Sequence, residues 1–184
     1  MIIEGLITCD SQHGPHVSAL GPVVNAELTE WTLRPFQSSR IFALLRANPN
    51  CVFHVIDDPL PIVCLVLGLP PQLTFDQLEG GAWVIREACH WYRLEVHSWN
   101  LDDQRSEAQA RRVNHGLFRP FWGWNRAKHA LLEAAILISR AHMLPPPELR
   151  AALEALRSPI EKTAGSREAQ AWELIEAWRR EREL

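Results

Sequence analysis

Between Leu33 and Asn50 the chain reads LRPFQSSRIFALLRANPN, and its polar residues have the types and spacing of an anion site. An extended approach at Arg34-Pro35-Phe36 passes through Gln37-Ser38-Ser39 and becomes a helix expected from about Arg40 to Ala47. The first turn of a helix carries backbone N–H groups without partners and a partial positive charge. Ser38 or Ser39 can cap such a turn, and serine there is an ordinary cap as readily as a ligand. Two arginines favour the ligand reading: Arg40 puts a cation where it opposes the helix dipole, and Arg34 lies just upstream. Hydroxyls, free amides and guanidiniums together suit a phosphate. Glycine loops of the Walker or dinucleotide-binding kind are absent.

A second helix start, WGWNRAKHALLEAAILISR, places Asn125 and Arg126 in an equivalent position. Arg126, His129, Glu133 and Arg140 share one stripe of that helix; an intrahelical charge ladder accounts for them, and contact with an anion or a partner subunit is the sharper reading. His129 and Glu133 have no third ligand, and His13-x-x-His16 lies in a Gly- and Pro-rich turn, so no metal is expected. There is no G-x-S-x-G elbow, and Asp57-Asp58 precedes a proline as turn residues do. The sequence therefore offers an anion site without a nucleophile. Eight tryptophans in 184 residues are enough to fill a core, a subunit interface or the walls around a planar ligand. That combination suits a cofactor that brings its own chemistry.

The elements that must position these residues divide into two textures. Strands are expected at Ile2 to Thr8, within VSALGPVVNAELTEWTL with a break at Gly21-Pro22, at CVFHVIDD, at IVCLVLGL, at HWYRLEVHSWN and at EAQARRVNHG. In HWYRLEVHSWN the alternation sets Tyr92, Leu94 and Val96 on one face. Thr74 and Gln77 have capping-box spacing and predict a small helix in LTFDQL. From about Asn125 three helices are expected, NRAKHALLEAAILISRAHML, PELRAALEALRS and REAQAWELIEAWRREREL. Strands followed by consecutive helices indicate an α+β chain, a barrel-like body over 1–118 and a helical region over 119–184.

Composition narrows the function. With 47% hydrophobic and 22% charged residues the chain can build a core, and a net charge of -3 argues against a non-specific nucleic-acid binder. No apolar run nears the roughly 20 residues of a membrane span. The opening MIIEGLITCD has no basic region and its apolar run is broken by Glu4 and Gly5, so a leader is not expected. The four cysteines form no C-x-x-C pair and read as buried reduced thiols. The cytoplasm is the expected location.

The blocks IIEGLIT…HVSALGPVV, FQSSRIFALLRANPNCVFHVIDDP and NRAKHALLEAAILISR resemble, in this order, the proteins grouped as domain of unknown function 447, within the superfamily of FMN-binding split barrels that includes flavin reductase-like proteins and pyridoxamine-phosphate oxidases. The resemblance covers about Ile2 to Leu144. It implies a six-stranded split barrel with a C-terminal helical extension, a homodimer with FMN at the subunit interface, and a small-molecule substrate. It further implies that Gln37, Ser38, Ser39 and Arg40, with Arg34 nearby, hold the phosphate. The backbone of Ser18 to Pro22, around Ala19, Leu20 and Gly21, would line the isoalloxazine edge, and Asn125 and Arg126 would complete the site from the same or the other subunit. Three functions are open: an FMN-dependent oxidoreductase, a flavin carrier or sensor without turnover, and a structural dimer whose site has lost its ligand.

Overall fold

The computed structural model describes all residues, 1–184, and they fall into two units. The first comprises Met1–Ile56 and Leu73–Phe121, and the second comprises Asp57–Gln72 and Trp122–Leu184.

The first unit is built on one antiparallel sheet. Its strands are β1 (Gly5–Ser11), β2 (Gly14–Leu20), β3 (Val23–Val24), β4 (Glu30–Leu33), β5 (Asn50–Val55), β8 (His90–Asn100) and β9 (Glu107–Leu117), in the order β2-β1-β5-β8-β9-β4-β3. A hairpin of β6 (Phe75–Gln77) and β7 (Trp83–Ile85) stands apart from it. The sheet curls until its ends meet. Residues ahead of β1 bond to β3, with Val24 N donating to Met1 O at 2.8 Å and Ile3 N to Pro22 O at 3.2 Å, beside an Ile2–Val23 bridge. The sheet has seven strands where six are expected, and the expected break at Gly21-Pro22 separates β2 from β3, since proline cannot donate to a ladder. Gly21 itself is tightly packed: a Cβ there would lie 2.6 Å from the Glu4 carboxylate.

Alternation assigns the two faces of this sheet. Ile7, Cys9, Cys51 and Phe53 turn inward with Trp31, Leu33, Tyr92, Leu94 and Val96, and helix α1 (Arg40–Ala47) adds Ile41 and Leu45 to that cluster. Leu6, Thr8, Val52 and His54 turn the other way, where Thr8 Oγ1 donates to Trp83 O at 2.7 Å and Val52 packs with Val84 and Trp91. Gly116 admits the Trp91 indole, whose atoms a Cβ would meet at 2.6 Å. The predicted inward set of Tyr92, Leu94 and Val96 is observed, and Trp91 is buried as well, on the opposite face.

The second unit is helical: α2 (Leu60–Val66), α3 (Arg126–Ser139), α4 (Pro146–Ala155), α5 (Arg157–Thr163) and α6 (Ser166–Glu181), with a 3-10 turn at Ala141–Met143. Helix α3 buries Leu131 and Ile138 with Ala127, Ala130, Ala134 and Ala135, and the four alanines let neighbouring helices approach closely.

Two expected elements are different. IVCLVLGL, expected as a strand, belongs to helix α2 and to the second unit. Prolines in its first turn need no helical N–H, and Asp58 Oδ1 accepts from Leu60 N at 2.9 Å. A continuous apolar run does not distinguish a buried strand from a buried helix. LTFDQL, expected as a small helix, contributes strand β6 instead. Thr74 caps nothing. Its hydroxyl and N–H both bond the Glu87 carboxylate, the hydroxyl at 2.6 Å, and Gly80 and Gly81, at φ +83 and +84, make the turn into β7. Helix α5, beyond the three expected, follows α4 with only Leu156 between them.

Candidate functional site

The strand-to-helix corner forms as the sequence suggests, with α1 starting at Arg40 behind an extended Ser39. Ser39 is the N-cap. Its Oγ accepts from Phe42 N at 3.3 Å and donates to Phe36 O at 2.6 Å, so the hydroxyl is committed to the corner itself. Gln37 is committed too: Nε2 donates to Leu101 O at 3.0 Å and to Asp103 O at 2.7 Å, fastening the corner to the β8–β9 connection. The same connection holds Phe36 in a bridge to Arg105, whose guanidinium stacks 4.5 Å above the Phe36 ring. Pro35 O accepts from Ser106 N and from Ser106 Oγ at 2.8 Å. The corner is therefore a braced loop around an ordinary serine cap.

What the bracing leaves over is Ser38, Arg40 and Arg34. Ser38 and Arg40 are exposed, and the first turn of α1 contains no acidic residue. The Nε of Arg34 is buried without a hydrogen-bond partner. A buried guanidinium N–H without an acceptor is costly, and the Nε atoms of Arg93 and Arg179 share that state.

Strand β2 is an edge strand, half-buried along its whole length from Gly14 to Leu20. Its pairing with β1 sets Ser18 opposite Ile7, Ala19 opposite Leu6 and Leu20 opposite Gly5. Directly opposed residues of an antiparallel pair point to the same side, so Ser18 and Leu20 continue the inner face while Ala19 lies on the other. Leu20 indeed packs against the inner cluster that contains α1. The register also places His16 opposite Cys9, on that inner face. Burial lowers the His16 pKa, and the positive charge of Arg40 lowers it further. His16 and Arg40 thus share one neighbourhood that spacing in the chain does not reveal.

Asn125 and Arg126 belong to the second unit. Asn125 caps α3: Oδ1 accepts from Lys128 N at 3.1 Å and Nδ2 donates to Thr163 O at 3.0 Å. Arg126, His129 and Glu133 line an open groove of about 480 Å³ with Trp124 and Leu156. All four residues of the stripe, Arg126, His129, Glu133 and Arg140, are exposed. Trp122 and Trp124 are 83% and 87% exposed on either side of Gly123, while Trp31 is wholly enclosed.

His54 serves the fold. Nε2 accepts from Ile85 N at 3.1 Å, so the ring proton sits on Nδ1 and faces Leu6 O at 3.3 Å. Burial brings its pKa down to about 3, and the imidazole is neutral across the physiological range. The four cysteines are buried free thiols. No group of three His, Cys, Asp or Glu could hold a metal ion, and no helix is long and apolar enough to cross a membrane.

A curled antiparallel sheet with a helix at the β4–β5 connection and consecutive C-terminal helices is the flavin-reductase-like split-barrel fold. Over 96% of the chain the structure superposes on 94% of a protein from Methanosarcina mazei, crystallised with FMN bound, at a TM-score of 0.81 and 22% identity. The flavin reductase of the styrene monooxygenase of Pseudomonas putida S12 is similar over 63% of this chain and 81% of its own, at a TM-score of 0.52 and 13% identity. A flavin reductase crystallised with NADP⁺, HpaC, is similar over 67% and 82%, at 0.55 and 7%. No curated protein matches the chain. Residues 3–119 match the family model described as Protein of unknown function (DUF447) N-terminal domain, and residues 125–177 match Protein of unknown function (DUF447). The chain belongs to this family.

Proposed function

We propose that the protein binds FMN and uses it to transfer hydride or electrons to a small substrate. The observation that carries this reading is the buried, unpartnered Nε of Arg34 in the same short segment as two uncommitted side chains, Ser38 and Arg40, at a helix start with no acid in its first turn. A phosphate would supply the acceptor that Arg34 lacks and the counter-charge that Arg40 lacks. A family member holding FMN, and flavin reductases with the same fold, support flavin as the ligand class.

FMN, when bound, supplies the redox chemistry through its ring, so the chain need bring no nucleophile. Its residues bind and orient. Arg34, Ser38 and Arg40 hold the phosphate; Ser39 and Gln37 act at one remove, keeping the corner in shape. The outer edge of β2 around Ser18 to Gly21 offers backbone N–H and C=O groups to the ring edge. Asn125 is committed to its cap, so Arg126 is the residue of that pair with a side chain available to a ligand. The half-exposed edge of β2 also supports a homodimer across the flavin site, and four free thiols support a reducing compartment, the cytoplasm.

The test is a visible absorbance spectrum of the purified protein, before and after loading with FMN and desalting. A retained flavin spectrum at about one per chain supports the proposal, and steady-state oxidation of NADH or NADPH by the loaded protein then separates an oxidoreductase from a carrier. A protein that stays colourless after loading rejects it.

A further inference from the structure

His16 has no part in the phosphate site as the sequence presents it, because it lies twenty-three positions and a change of element before Ser39. The fold removes that distance. Cys9 lies in the inner cluster with Ile41 and Leu45 of α1, and His16 is paired with Cys9 one strand further out. The imidazole therefore stands on the face that α1 covers, it is half-buried, and the charge of Arg40, the first residue of that helix, reaches it. Ser18, two residues along, shares that face. Resting on the flavin reading, we propose that His16 is a fourth phosphate-binding side chain beside Arg34, Ser38 and Arg40, and that docking of the FMN phosphate draws a proton onto its imidazole.

The charges around His16 give the coupling its sign. Arg40 is the charged group acting on it, and repels a second positive charge. Its partner across the ladder is Cys9, a thiol whose pKa burial pushes up to about 12, so it is neutral and contributes no opposing charge. In the free protein the imidazole is thus held below its ordinary value by burial and by Arg40. A phosphate held by Arg34 and Arg40 offsets the second effect, since its negative charge favours imidazolium. The bound pKa lies above the free one, so FMN binding takes up a proton between the two values. Affinity strengthens as pH falls through that window. Riboflavin, which has the same ring and no phosphate, lacks this linkage.

The experiment is an NMR titration of the His16 imidazole in the full-length, flavin-stripped protein, alone, with saturating FMN and with saturating riboflavin. His16→Gln assigns the resonance. The expected result is a midpoint that rises by at least about one unit with FMN, equivalent to about a tenfold tighter grip by the protonated form, and does not move with riboflavin. His16→Gln should weaken FMN about tenfold at pH 6 and leave riboflavin affinity unchanged. If FMN binds while the midpoint stays put, or if riboflavin moves it equally, the role of His16 is overturned and the flavin reading stands. If FMN fails to bind at any pH, both fall together.

Discussion

Consider the replacement of His54 by Gln, with stability measured at pH 7 and again at pH 5. In the folded chain the imidazole is fully buried, donates from Nδ1 to Leu6 O and accepts from Ile85 N, with a pKa of about 3. In the unfolded chain it titrates near the ordinary value of about 6.5. Its folded pKa is depressed, so its contribution is fully present above about 6.5 and is lost as pH falls towards 3. At pH 7 the unfolded imidazole is about one-quarter protonated and at pH 5 almost wholly so, while the folded one stays neutral; the difference costs the wild type about 2 kcal/mol. Glutamine does not titrate. At pH 7 the variant should be less stable by about 1–3 kcal/mol, because the Ile85 N–H loses its aligned acceptor. By pH 5 that penalty should shrink by about 2 kcal/mol. Urea denaturation of both proteins at both pH values reads this double difference directly, and contributions from the other histidines cancel in it. An equal penalty at pH 7 and pH 5, or an NMR midpoint for His54 near 6.5, would refute the reasoning.

Other expectations follow from the corner and the strands. Ser39→Ala should cost about 1 kcal/mol of stability and leave FMN affinity within about threefold of wild type, since its hydroxyl caps α1; thermal unfolding with and without FMN separates the two effects. Arg34→Met should weaken FMN at least about tenfold while preserving or raising the stability of the flavin-free protein, because it removes a buried unpartnered donor. A loss of stability without FMN would show that Arg34 is held by the fold rather than reserved for a ligand. Gly116→Ala should destabilise by about 1–3 kcal/mol through its clash with Trp91 at 2.6 Å, visible as a lowered urea midpoint and a changed tryptophan emission. If the proposed homodimer forms, sedimentation velocity at micromolar concentration gives about 42 kDa, twice the 21.0 kDa chain, and a lone 21.0 kDa species counts against it.

The parts legible in the sequence were those in which local chemistry and burial agree. α1 has a serine cap and an apolar stripe, β8 alternates cleanly, and α3 repeats its alanines at helical spacing; each forms where the residues indicate. α2 was misread because Ile62 to Cys64 are buried all round, which erases periodicity, and the decisive signal was the Asp58-Pro59-Leu60-Pro61 start. The β6–β7 hairpin was hidden behind Thr74 and Gln77, although Gly80-Gly81 between two short apolar runs marks a turn. At the candidate site the sequence picked out the corner but could not rank its residues. Gln37 and Ser39 also bond to Leu101, Asp103 and Phe36, contacts that spacing in the chain does not show. His16 became visible only through the β1–β2 register, a long-range fact that composition and spacing do not encode.

The most direct test of the phosphate corner compares FMN with riboflavin by fluorescence quenching, in the wild type and in an Arg34→Ala/Arg40→Ala double variant. The two flavins share a ring and differ in the phosphate, so their ratio isolates the corner from the rest of the site. The account predicts FMN bound at least about a hundredfold more tightly by the wild type, as two charge-assisted contacts would give, and a ratio near one in the variant. Equal affinity of the wild type for both flavins would contradict it and leave Ser38, Ser39 and Arg40 as a capped helix start.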